Sequence, residues 1–216
     1  MSRSALKINE IFYSLQGESL LVGKPTVFVR VATCNMRCSW CDTRYAFWEG
    51  HLMSVEEILQ EIGRYPTRLV CLTGGEPLGQ QGSLLLMQRL LERGYSVSLE
   101  TGGGFSVATV PECVTKVIDV KCPDSGETEN MFWENLELAG QKDQFKFVIA
   151  SRADFEWAVG LVREKALYAK ATVLFSPVED RLAPEALARW VLESGLPVTF
   201  QLQLHKKIWG KDARGV

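Results

Sequence analysis

Three thiols open the question of chemistry. Cys34, Cys38 and Cys41 fall in the stretch CNMRCSWCDT with the spacing CxxxCxxC. Thiolates select soft metals, chiefly zinc, copper(I) and iron–sulfur clusters. A structural zinc site needs a fourth ligand. His51 lies ten residues beyond Cys41, too far for finger spacing, and no second CxxC pair exists. A cubane [4Fe–4S] cluster usually takes four cysteines. With three, one iron keeps an open position, suited to a small chelator such as the amino and carboxylate groups of an amino acid. Ligand count and spacing favour the cluster; zinc and a chance grouping stay open at this point.

The other cysteines read differently. Cys71, inside the apolar run LVCLTGG, reads as a small core residue, and Cys113 and Cys122 read as structural thiols near turns. Three further stretches have unusual composition: TGGEP (73–77), ETGGG (100–104) and KCPDSGE (121–127). Gly74 and Gly75 read as positions where backbone must approach a ligand closely.

These stretches need a scaffold. Strand-like runs span 26–31, 68–73, 95–100, 116–121, 144–150, 171–176 and 198–204. Helix-like runs fall between most of them. SVEEILQEIGRY starts with Ser54 and has Glu57 three residues on, a capping box, with Val55, Ile58, Leu59 and Ile62 on one apolar stripe. SLLLMQRLLERG ends at Gly94, a fitting glycine stop. ADFEWAVGLVREK and APEALARWVLESG complete the set. Alternating strands and helices predict an α/β fold with a mostly parallel sheet of six to seven strands. The units are too few for a full eight-fold barrel, so the expectation is a single-domain, partial TIM-like barrel over residues 1–216. Loops at the carboxyl ends of parallel strands form the usual ligand site. The cysteine loop follows the first of the predicted strands, TGGEP the second, ETGGG the third and KCPDSGE the fourth.

Bulk properties exclude several classes. The chain has 216 residues, 24 basic against 26 acidic side chains, and a formal net charge of -2. That balance argues against a nucleic-acid partner. No apolar run is long enough for a membrane span or a signal peptide, so a cytoplasmic protein is expected.

CxxxCxxC with GGE at the end of the next strand resembles the radical S-adenosylmethionine (SAM) enzymes. In that family three cysteines hold a [4Fe–4S] cluster and the methionine end of SAM chelates the fourth iron. The segment IFYSLQGESLLVGKPTVFVRVATCNMRCSWCDTRY, with TGGEP, ETGG and the tail LQLHKKIWG, closely resembles the 7-carboxy-7-deazaguanine synthase family of queuosine biosynthesis. The likeness runs from about residue 8 to residue 210. A radical SAM core is the fold it implies.

The resemblance implies a lyase acting on 6-carboxy-5,6,7,8-tetrahydropterin. The products would be 7-carboxy-7-deazaguanine and ammonia, formed by a ring contraction that a 5′-deoxyadenosyl radical initiates. No side chain is then the catalytic group, because SAM carries the radical. Cys34, Cys38 and Cys41 would hold the cluster, and Thr43 a Mg²⁺ ion, whose preference for oxygen ligands and retained waters suits a hydroxyl. Trp40, Cys41, Asp42, Gly75, Asp119, Val120, Lys121 and Ser176 match SAM-binding positions. Leu15, Gln16, Gly17, Glu18, Arg30, Thr73 and His205 match substrate positions. Among these, Arg30 would fork onto the substrate carboxylate and Glu18 would accept from the amino-pyrimidine edge. KCPDSGE and FSPVED depart from the family's usual patterns, and no substrate contact is carried over to the chain end. A flavodoxin- or ferredoxin-type electron donor and a homodimer are further family expectations. Two competing readings are another radical SAM enzyme, such as a glycyl-radical activating enzyme, and a non-catalytic zinc-stabilised binding module.

Overall fold

The computed structural model describes residues 4–216, so the first three positions of the expected 1–216 unit lie outside the described residues. Nine strands form one sheet, in the order β3-β1-β2-β4-β5-β6-β7-β8-β9. Their ranges are β1 Ala5–Leu15, β2 Pro25–Val31, β3 His51–Ser54, β4 Leu69–Gly74, β5 Ser96–Thr101, β6 Thr115–Asp119, β7 Gln144–Ile149, β8 Thr172–Pro177 and β9 Thr199–Phe200. From β2 through β4 to β9 every neighbouring pair is parallel. These seven parallel strands fall within the six to seven expected, and the sheet is left open as in a partial barrel. Two antiparallel strands extend it: β1 pairs with both β2 and β3.

Three features differ from expectation. Strands β1 and β3 have no counterpart among the predicted runs: LKINEIFYSL mixes charged and apolar residues through an irregular alternation, and HLMS is only four residues long. The β1 register shifts between Ile8 and Glu10. The predicted strand over 198–204 shrinks to Thr199–Phe200, and Leu204 instead begins a helix.

The helices are α1 Val55–Ile62, α2 Gly82–Glu92, α3 Asn135–Leu138, α4 Arg152–Glu164, α5 Leu167–Lys170, α6 Pro184–Ser194 and α7 Leu204–Trp209. The capping box at the start of α1 forms, with Ser54 Oγ accepting from Glu57 N–H and the Glu57 carboxylate accepting from Ser54 N–H. The four stripe residues of α1 are all buried. Gly94 and Gly195 follow α2 and α6 at φ +75° and +63°, as a left-handed stop requires. Among the described residues no helix is long and apolar enough to cross a membrane.

The sheet separates two environments. Leu6, Ile8, Val27, Val29, Val31, Val70 and Leu72 belong to the main core, together with buried residues of α1 and α2. The alternate residues point to the other face, where Phe12 and Phe28 stack with ring centroids 4.9 Å apart beside Cys71. That second face carries the polar side chains. Cys71 and Cys122 are buried, as expected; Cys113 is exposed, because it sits in the turn before β6 rather than on a strand.

Candidate active site

A polar row runs across the second face of the sheet. Period-two alternation puts Arg30 of β2 and Thr73 of β4 in register, and likewise Asp119 of β6 and Lys146 of β7. The irregularity at the start of β1 matters here. Leu6 and Ile8 face the core, and an unbroken alternation would send Glu10 there too. The shift instead sets Glu10 directly opposite Arg30, the re-aiming that β-bulges perform. Glu10 Oε1 lies 2.7 Å from Arg30 Nε and accepts from the Tyr45 hydroxyl at 3.0 Å. Burial opposes the charge on Arg30, but Tyr45 and Glu10 outweigh it and raise the guanidinium's pKa.

The cysteine loop leaves the carboxyl end of β2 and is fastened by its neighbours. Arg37 N–H donates to Glu127 at 2.7 Å, Ser39 N–H to the Ser125 carbonyl at 3.0 Å, and Arg44 to the Ser39 carbonyl at 2.8 Å. All six cysteines are free, and Cys34, Cys38 and Cys41 are half-buried along one cavity of about 230 Å³. Burial pushes the Cys34 thiol up and the Cys38 thiol to about 11. A bound metal centre reverses that preference, since coordination deprotonates a thiol. Among the described residues no three His, Cys, Asp or Glu side chains converge on a single ion. The three thiols line one cavity and supply the kind of donors an iron–sulfur cluster takes.

The glycine pair lines the cavity and also lets backbone meet backbone. A Cβ on Gly75 would come 1.8 Å from the Thr33 carbonyl oxygen, immediately before Cys34. A Cβ on Gly74, at φ +123°, would lie 2.5 Å from the Val31 backbone. The glycines thus let the end of β4 press against the root of the cysteine loop. Glu76 then turns inward and accepts from Thr101 Oγ1 at 2.9 Å, Gly102 N–H at 2.8 Å and Leu78 N–H at 2.9 Å. TGGEP and ETGGG are joined through that buried carboxylate, whose pKa burial raises.

A chain of charges borders the cavity. From the cysteine loop, Asp42 pairs with Lys206 at 2.8 Å, and Lys206 donates to Gln203 Oε1 at 2.6 Å. Gln203 donates to Glu18 Oε1 at 2.8 Å, and Lys146 binds Glu18 Oε2 at 2.7 Å. Lys146 also reaches Asp119 at 3.3 Å, and Asp119 meets Lys121 at 3.1 Å. Burial alone would raise the Glu18 carboxyl, but the charges of Lys146 and His205 and the hydrogen bonds of Lys146 and Gln203 bring it down to about 2. Nearby, Glu100 accepts from Gln16 at 3.1 Å and from Thr73 at 2.8 Å.

The fold brings most residues singled out from the sequence to this cavity. Leu15, Gln16, Gly17, Glu18, Arg30, Thr73 and His205 line it, as do Trp40, Asp42, Thr43, Gly75, Asp119 and Lys121. Thr43 Oγ1 lies 3.7 Å from Cys41 Sγ. Trp40 packs against Val148, Ala150 and Val178 beneath the Arg181 guanidinium. Gly17 receives the His205 ring, and its carbonyl accepts from Leu204 N–H at 2.9 Å. Two residues stand apart. The Val120 side chain is in the core, its N–H bound to the Lys146 carbonyl, and Ser176 is buried with its Oγ unpartnered; neither lines the cavity. Sequence reasoning missed Glu10, Tyr45, Glu100, Lys146, Gln203 and Lys206. A signal existed for Lys146, a lone cation in the centre of the apolar run QFKFVI. The tail was left unassigned, yet Ala213, Gly215 and Val216 reach the same cavity.

The Radical SAM superfamily model matches residues 29–121, a span holding the three cysteines and TGGEP. A 7-carboxy-7-deazaguanine synthase of Koribacter versatilis is 44% identical, covering 98% of this chain and 100% of that protein. The synthase of Chlorobaculum tepidum is 43% identical over 100% of this chain and 99% of its own length. The chain belongs to the 7-carboxy-7-deazaguanine synthase family. The crystal structure of QueE from Escherichia coli shares the fold, with a TM-score of 0.77 at 24% identity over 93% of this chain and 95% of that one. Membership of the radical SAM superfamily implies a [4Fe–4S] cluster and SAM as cofactors. The thiol-lined cavity has the donor set such a cluster needs.

Proposed function

We propose that the chain converts 6-carboxy-5,6,7,8-tetrahydropterin to 7-carboxy-7-deazaguanine with release of ammonia, a step of queuosine or related deazapurine synthesis. The observation that carries this reading is the 44% identity to a named synthase over essentially both full lengths. What supports it locally is one cavity lined by three thiols, a held arginine and an ionised glutamate.

Cys34, Cys38 and Cys41 would hold the cluster. Bound there, cluster and SAM would supply the one-electron radical chemistry that the ring contraction needs. The chain's own side chains bind and orient. Arg30, fixed through Nε, offers its η nitrogens to the substrate carboxylate. Glu18, acceptor-only when ionised, takes the amino-pyrimidine edge. Leu15, Gln16, Gly17, Thr73 and His205 complete the pterin side. Trp40, Cys41, Asp42, Gly75, Asp119 and Lys121 would serve SAM, while Val120 and Ser176, matched to SAM-binding positions in the sequence, lie outside the cavity.

Thr43 would hold a Mg²⁺ ion, whose preference for oxygen ligands its hydroxyl suits. All 216 residues form one catalytic unit, working as a cytoplasmic homodimer that receives electrons from a flavodoxin or ferredoxin. The deciding experiment is an anaerobic assay with dithionite, SAM, Mg²⁺ and the carboxytetrahydropterin. Formation of the deazapurine is expected. SAM cleavage with no deazapurine would favour another radical SAM substrate, such as a glycyl-radical protein.

A further inference from the structure

We propose that Lys146 is the positioning residue that makes Glu18 a fixed, doubly anchored acceptor and so sets the pocket's preference for a planar edge bearing adjacent N–H donors. This deepens the reading above and rests on it.

Lys146 stands in a strand whose six residues are all buried. A lone ammonium there is costly unless partners compensate it, and a methionine would fill the same space without that cost. Its partners explain its presence. Nζ lies 2.7 Å from Glu18 Oε2 and 3.3 Å from Asp119 Oδ2. Glu18 Oε1 is held separately by Gln203 Nε2 at 2.8 Å. Each carboxylate oxygen is therefore anchored on one side and keeps acceptor capacity for the cavity that Glu18 lines. The pair selects donors and rejects ring edges that present acceptors, because like dipoles would meet without water between them.

Charge makes the arrangement work. The groups acting on Glu18 and Lys146 are Glu100 from β5, Asp119 from β6, Lys121 from the loop after β6, Asp42 from the cysteine loop and His205 from α7. Without Lys146, Glu18 keeps its burial and loses its largest compensating charge. Its carboxyl would then hold a proton to higher pH than in wild type, and the protonated form presents a donor where an acceptor is required.

The test is the pterin KM of Lys146→Met across about pH 6 to 9. Wild type is expected to show a flat KM, since Glu18 stays ionised throughout. The variant is expected to show a KM raised about tenfold or more at the acid end and recovering toward wild type at the alkaline end, with kcat changed much less. A KM equal to wild type, or raised by one factor at every pH, overturns the proposal. Should Lys146→Met fail to fold, Glu18→Gln/Lys146→Met is compared with Glu18→Gln alone. If Lys146 acts through Glu18, the two share a KM within about twofold; a further tenfold rise in the double variant overturns the proposal. Failure of wild type to convert the pterin is a separate result and sinks the substrate reading instead.

Discussion

Glu10 and Arg30 face each other across the β1–β2 pair, and the carboxylate takes the Nε hydrogen at 2.7 Å rather than the fork of the guanidinium. Among the described residues the Arg30 side chain has a hydrogen-bond partner only at Nε; the guanidinium lies over the Phe12 ring at 5.5 Å, and Arg30 lines the cavity. A structural ion pair would use the bidentate fork; this one holds the side chain from behind and leaves the fork for a ligand.

Removing the fork and removing its holder should therefore differ. Arg30→Ala is expected to raise the pterin KM by about ten- to a hundredfold, the worth of a charged hydrogen bond, while slow uncoupled SAM cleavage persists. Glu10→Gln keeps the shape and weakens the hold, and a rise of about threefold is expected. Steady-state kinetics with parallel measurement of 5′-deoxyadenosine checks both. Full activity in Arg30→Ala would contradict the placement of the substrate carboxylate.

Cys34→Ala, Cys38→Ala and Cys41→Ala should each abolish deazapurine formation and lower bound iron well below the roughly four per chain of a cubane cluster. Circular dichroism should stay near wild type, because the loop is fastened by Glu127, Ser125 and Arg44 rather than by the thiols. Zinc without iron in anaerobically purified wild type would instead revive the zinc-stabilised module.

Two glycine substitutions separate fold from site. Gly75→Ala puts a methyl into the Thr33 carbonyl, backbone that cannot yield cheaply, so reduced thermal stability and poor iron incorporation are expected. Gly17→Ala meets the His205 side chain, Nδ1 at 2.3 Å and Cγ at 2.9 Å, so the cost falls on a side chain of the pterin side rather than on the root of the cysteine loop. That variant should fold, load iron normally and show a raised pterin KM. Calorimetry and iron analysis distinguish them.

Glu18 predicts an acid dependence of stability. Its folded carboxyl sits at about 2, below the ordinary 4.5. Its contribution is thus present above the ordinary value and is lost as pH falls through the folded one. Wild type should exceed Glu18→Gln in urea midpoint near neutral pH, and the gap should close as pH drops toward about 2. A gap independent of pH would contradict the ionised pair with Lys146.

Thr43→Ala should lower stimulation by added Mg²⁺, and Thr43→Ser, which keeps the hydroxyl, should retain it. Titrating Mg²⁺ into EDTA-treated enzyme reads this directly. Equal stimulation of all three proteins would remove Thr43 from the metal site.

Much of the scaffold was legible because short-range rules specify it. The Ser54–Glu57 cap, the α1 stripe and the glycines after α2 and α6 are encoded within a turn or two of chain, and each formed as read. The parallel strands from β2 to β8 announced themselves as apolar runs. Strand β1 did not, since its bulge breaks the period-two pattern by which a strand is recognised. The stretch 198–204 misled for the opposite reason: its alternation suits a strand, but only Thr199 and Phe200 find a neighbour to pair with.

The sequence by itself determined the ligand types, the family likeness and the order in which the loops meet the sheet edge, because these are properties of spacing along the chain. Tertiary structure alone decided the charge partners. Glu18 and Lys146, or Asp42 and Lys206, are far apart in sequence and meet only when β7 and α7 close around the cavity. It also decided what the glycine pair approaches, which is the root of the cysteine loop. The physical reason is common to both: a buried charge or a missing Cβ records that something must come close, and only the packed chain determines what does.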